Sequence, residues 1–167
     1  LRLYVAQRAG LEKPSLMVLN ALDEQGWQEF LSTYRAGFAK ELKSEAGTPA
    51  DKAEDAESFR QTQGMFKSFP WVMAYVAPRG VGPTAWDQSP RKQTQHRRRF
   101  YLLGQTLEGM QTYDVRRAAQ ALRSLDSMRD VPLWMQGRRQ MAGATLYASL
   151  FEPDVTRLDL HVLPPTH

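Results

Sequence analysis

The fold reading turns on Leu133-Trp134-Met135-Gln136-Gly137-Arg138-Arg139-Gln140-Met141-Ala142-Gly143-Ala144. A short apolar run leads into a glycine-bearing turn, and a segment rich in small residues follows at once. The run reads as a strand over residues 131–135, with Pro132 near its start, where a proline costs a sheet least. Residues 140–151 read as a helix. Met141, Ala142, Ala144, Leu146, Tyr147, Ala148, Leu150 and Phe151 make it apolar almost all round, so burial is expected. Pro153 stops it.

Outward from this unit, strands and helices alternate. Residues 71–77 are apolar throughout and read as a strand buried on both faces. Residues 14–23 carry another short apolar run ending at Asn20. Residues 1–5 and 158–163 read as further strands. Trp27, Phe30, Leu31, Tyr34 and Phe38 recur at spacings of three and four, which predicts a helix over 25–43. Gly47-Thr48-Pro49 should break it, and residues 50–57 should be a solvated loop or a helix start. A short helix is expected over 59–66. Residues 91–125 read as largely helical. Strands separated by helices pair in parallel through right-handed crossovers. The predicted class is α/β, a mostly parallel sheet with helices on both faces. Ligands on such sheets sit beyond the carboxyl ends of the strands. The loops to watch are therefore 20–23, 79–82 and 136–140.

Composition narrows the function classes. The 167 residues are 42% hydrophobic and 24% charged, ordinary for a folded domain. No apolar run is long enough to span a membrane. There is no cysteine, hence no disulfide framework, thiolate metal site or cysteine nucleophile. Neither a Walker loop nor a dinucleotide fingerprint is present, so no cofactor and no metal are expected. The chain opens at Leu1 in a strand-like run and stops at His167 after a Pro-Pro turn. Residues 1–167 are therefore read as one truncated domain of a longer protein.

The strand, sharp turn and small-residue helix at 133–144 form the setting of a nucleophile elbow, usually G-x-S-x-G. Here Gly137 is followed by Arg139 at the serine position and Met141 at the second glycine. A shift of one residue would put Gln140 there instead. A guanidinium is no acyl-transfer nucleophile. A plain strand-to-helix turn is the other reading.

Residues 70–83, the segment Tyr113-Asp114-Val115-Arg116-Arg117-Ala118 and residues 131–155 resemble the central part of bacterial α/β-hydrolases of the acetyl xylan esterase and dienelactone hydrolase-like group. The resemblance runs from Pro14 to Leu163. It implies a parent that hydrolyses acyl esters, with a small-molecule or carbohydrate ester as substrate. A complete member has an elbow serine, an acid after a later strand and a histidine near the C-terminus. This chain lacks the serine, and His167 is no match for the family histidine. The chain itself is expected to have no serine-dependent esterase activity. By position, backbone N–H groups of Ala21, Leu22 and Gln140 would form the oxyanion hole. The alternative function is a non-catalytic relative that binds an anionic or carbohydrate ligand, with Arg79, Arg138 and Arg139 near the strand ends.

Other charged and titratable residues read as structural. Asp114 is expected to serve in an ion pair or cap rather than in catalysis. His96 and His161 read as structural histidines. Arg91, Lys92, Arg97, Arg98 and Arg99 form the main basic cluster, yet the net charge is only +4. Glu41, Glu45, Asp51, Glu54, Asp55 and Glu57 are expected to balance that cluster. No nucleic-acid partner and no membrane partner are expected.

Overall fold

The structure is a computed structural model and describes residues 1–45, 53–87 and 89–164. Its strands are β1 (Leu3–Ala6), β2 (Leu16–Ala21), β3 (Trp71–Val76), β4 (Leu133–Arg138) and β5 (Val155–His161). Its helices are α1 (Glu24–Phe38), α2 (Ala56–Ser68), α3 (Pro90–Leu102), α4 (Leu107–Arg123) and α5 (Gln140–Ser149). The five strands form one sheet in the order β1-β3-β2-β4-β5. The pairs β2/β3, β2/β4 and β4/β5 are parallel, and β1 runs antiparallel to β3. The class is α/β, as the alternation of strand and helix patterns predicts.

Central β2 is buried on both faces except at Asn20. That fits its apolar run and its place between two parallel neighbours. Strand β3 departs from the expectation of two buried faces. Val72, Ala74 and Val76 are buried, while Trp71, Met73 and Tyr75 are only partly covered. On one face of the sheet, Met17, Leu19, Val72 and Met135 pack with Val115, Leu122, Met141 and Ala148 of α4 and α5. Around α1, an aromatic cluster joins Trp27, Phe30 and Tyr34 to Tyr4, Tyr75 and Phe59.

Several predicted boundaries move. The helix predicted over 25–43 ends at Phe38, and a single 3-10 turn follows at Lys43–Glu45. The break expected at Gly47-Thr48-Pro49, residues 50–52 and His167 lie outside the described residues. Helix α2 is longer than the 59–66 expectation, because Asp55 caps it by accepting from the Ser58 N–H at 2.9 Å. Residues 91–125 form two helices rather than one. Gly104 takes φ +66° and ends α3, and Thr106 accepts from the Gly109 N–H at 2.9 Å to start α4. The buried helix predicted over 140–151 is buried only on one side. Leu150 and Phe151 lie past its end and are exposed.

Candidate functional site at the β4–α5 turn

Strand β4 ends at Arg138, and α5 begins at Gln140. Arg139 alone makes the turn, with φ +51° and ψ −125°. A side chain in this region costs roughly 1–3 kcal/mol and persists only where its surroundings over-determine it. Here they do. The Arg139 N–H donates to the His161 carbonyl at 2.8 Å, and the Arg139 carbonyl accepts from the Ala142 N–H at 3.0 Å. Gly137 supplies the room. A Cβ there would stand 2.5 Å from the Met141 carbonyl oxygen and 2.5 Å from Thr145 Oγ1. Gly143 has no such role, since its Cβ would meet nothing within 4 Å.

The Arg139 side chain closes the turn against the β2–α1 loop. Its Nε donates to Asp23 Oδ2 at 2.6 Å and its Nη2 to Asp23 Oδ1 at 2.9 Å. Asp23 is at the same time the N-cap of α1, accepting from the Gly26 N–H at 2.8 Å. Burial by itself would raise the Asp23 pKa. The hydrogen bonds from Arg139 and Gly26 outweigh it and hold the carboxyl below the ordinary aspartate value. Arg139 and Gln140 thus divide the two positions that the sequence left open. Arg139 is the turn residue, and Gln140 is the first residue of the helix.

The other candidate arginines also lie beside carboxylates. Arg79 donates to Asp114 through Nε at 2.8 Å, through Nη2 at 2.5 Å and through its backbone N–H at 3.0 Å. Asp114 is 1% exposed, an ion-pair residue inside the fold. Gln111 Nε2 donates to the Arg79 carbonyl at 3.0 Å, and Gln140 Nε2 donates to Gln111 Oε1 at 3.2 Å. This chain of bonds ties the β3 loop, α4 and the start of α5 together. Arg138 is exposed, with Glu29 at 3.9 Å.

Two of the three expected oxyanion donors are also used by the fold. The Leu22 N–H donates to the Val76 carbonyl at 2.9 Å. Ala21 lies in the ladder opposite both Val76 and Gly137. Gln140 differs, because the first N–H groups of a helix have no partner within it.

A cleft of about 600 Å³ opens above the turn, with Asp23, Gln28, Trp86, His96, Phe100 and Gln140 among its walls. Trp86 stacks on His96 with centroids 5.0 Å apart and touches Phe100 at 5.8 Å. His96, read from sequence as structural, is part of this aromatic wall. Nothing in the local pattern marked Asp23 as the partner of Arg139. Trp86 did carry a signal, as a large aromatic inside a Gly/Pro-rich loop. A smaller cavity of about 230 Å³ lies beside Asn20, Glu29 and the Tyr34–Tyr75 hydroxyl pair, whose oxygens are 2.9 Å apart. Burial pushes both phenols up, Tyr75 well above the ordinary value. Among the described residues, no cluster of three or more His, Asp or Glu could hold a metal ion.

No protein-family model matches the chain, and no curated protein does. Among solved structures, it is similar to the crystal structure of a Bacteroides fragilis protein described as a candidate acetyl xylan esterase, with a TM-score of 0.64 and 11% identity. The match covers 93% of this chain and 39% of that one, so the chain spans well under half the length of its structural neighbour. At that identity the likeness concerns the fold alone.

Proposed function

We propose that this chain is a non-hydrolytic α/β-hydrolase-like unit that binds a carbohydrate in the cleft above the β4–α5 turn. The observation that carries the reading is Arg139 at the elbow position, bonded through Nε and Nη2 to Asp23. A guanidinium offers no lone pair for attack on an acyl carbon. The cleft suits a neutral ligand better than an anion, since the carboxylates of Asp23, Glu24 and Asp87 line it beside the Arg97 guanidinium. Its walls combine an aromatic surface at Trp86, His96 and Phe100 with amide and carboxylate side chains at Asp23, Gln28 and Gln140. A sugar ring presents C–H groups on one face and hydroxyls around its rim, which matches a flat aromatic beside several acceptors and donors. The structural neighbour's description as a candidate acetyl xylan esterase, xylan being a polysaccharide, supports the same choice.

A second reading, that the parent protein hydrolyses acyl esters as acetyl xylan esterases do, draws on the fold alone. Calorimetric titration of the purified chain with xylo-oligosaccharides separates the two. The binding reading expects heat of binding that Trp86→Ala removes, and no turnover of an acetyl ester. Ester turnover blocked by a fluorophosphonate would overturn it.

A further inference from the structure

Helix α3 breaks the ordinary rules for a surface helix. It has no buried residue and no acid in its first turn, and Arg91 and Lys92 stand at its positive end. Cations there oppose the helix dipole. Arg97, Arg98 and Arg99 follow in succession. Among the described residues the one ion pair of α3 is Arg97 with Glu108, at 3.8 Å between two exposed side chains. Three of the acids expected to balance it are engaged elsewhere. Glu45 pairs with Arg2, Glu57 pairs with Arg60, and Asp55 caps α2.

The helix has two faces. Gln93, His96, Arg97 and Phe100 line the cleft. Opposite them, Arg91, Arg98 and Leu102 fall at i, i+7 and i+11, one stripe of a helix. The basic stripe ends in an apolar tip. Tyr101 is 62% exposed, Leu102 86% and Leu103 73%. The tip is held in place. The Gly104 N–H donates to the Tyr101 carbonyl at 3.0 Å and the Gln105 N–H to the Phe100 carbonyl at 3.0 Å.

We propose that the outer face of α3 docks on an anionic lipid surface, with the arginines at the headgroups and Leu102 and Leu103 entering the interface. A basic stripe by itself would suit any polyanion. The leucine tip decides between them, because a nucleic acid in water gives two aliphatic side chains nothing to be buried in, whereas a bilayer interface does. The combination supplies two weak signals, charge and apolar insertion, which together hold a protein to a membrane. No helix among the described residues is long and apolar enough to cross a membrane. The sequence expectation of no membrane partner rested on span length, which does not bear on surface docking. This docking is independent of what the cleft binds.

Vesicle flotation tests it with the whole chain. Phosphatidylcholine vesicles alone are compared with vesicles containing roughly 30% phosphatidylserine, which sets a physiological negative surface. The chain should float with the anionic vesicles only. The R98Q/R99Q variant should partition roughly thirtyfold more weakly, and L102S/L103S at least about tenfold more weakly. All four positions are exposed, so both variants should keep the wild-type circular dichroism and melting curve. A chain that stays in solution with anionic vesicles at low salt overturns the proposal. Vesicle binding that L102S/L103S leaves unchanged also overturns it. So does RNA binding that is lost in R98Q/R99Q and kept in L102S/L103S without vesicle binding.

Discussion

Arg139 and Asp23 lie 116 residues apart and meet in a two-bonded ion pair, with Nε–Oδ2 at 2.6 Å and Nη2–Oδ1 at 2.9 Å. The pair joins the turn after β4 to the cap of α1. It thereby locks together the carboxyl ends of the two strands at the centre of the sheet, where Ala21 stands opposite Gly137.

Arg139 combines a strained backbone with a useful side chain, and substitution can separate the two. Arg139→Ala keeps the positive φ and loses the ion pair, whereas Arg139→Gly loses the ion pair and removes the strain. Because Arg139 is 39% exposed, the pair itself contributes only about 1 kcal/mol. The glycine variant should therefore be more stable than the alanine variant by about 1 kcal/mol. Urea denaturation of both chains measures the difference. Equal stability would mean the turn is unstrained.

Asp23 predicts a pH dependence with a definite sign. Its folded pKa is depressed, so its contribution is complete above the unfolded aspartate value. The contribution is lost as pH falls through the folded value, below about pH 4. Asp23→Asn should be less stable than wild type at neutral pH, and the gap should shrink on acidification below about pH 4. A gap that stays constant across that range would show that the charge of Asp23 is not what stabilises.

The two glycines around the turn should respond in opposite directions. Gly137→Ala drives a Cβ onto the Met141 carbonyl and Thr145, both in the packed core of α5, and should cost more than about 2 kcal/mol or prevent folding. Gly143→Ala adds a methyl to open space within a helix and should stabilise by about 0.5–1 kcal/mol. Thermal melts of the two variants check both signs.

Arg79→Ala would leave the Asp114 carboxylate buried without its counter-ion. A cost of about 3 kcal/mol is expected from breaking such a pair. Arg79→Ala combined with Asp114→Ala should recover part of that loss, since no charge is then left buried. A double-mutant cycle in urea reads the coupling. Strict additivity would show that the two residues act independently.

Much of the architecture was legible from local pattern. The spacing of Trp27, Phe30, Leu31 and Tyr34 marked α1, and the apolar run from Trp71 marked β3. Gly137 followed by small residues marked the sharp turn into α5. Missed features came from signals too short to weigh alone. Gly104 and Thr106 divide a long helical pattern, and their chemistry spans only a few residues. Leu150 and Phe151 looked like core because apolar type does not say which side of an element meets solvent.

The site divides along the same line. Residue order alone led to the expectation of Arg139 or Gln140 where this kind of turn usually carries a nucleophile. It could not say what the arginine does, because a charge pair between residues 23 and 139 leaves no trace in the neighbourhood of either. Only the parallel pairing of β2 with β4 brings those two turns together. That packing turned Arg79 and Arg139 from free cations into neutralised braces, and among the described residues it brings no carboxylate into an ion pair with Arg91 or Arg98 on the outer stripe of α3. Short-range periodicity decides which elements form. Which charges are satisfied is decided by distances that only the assembled sheet sets.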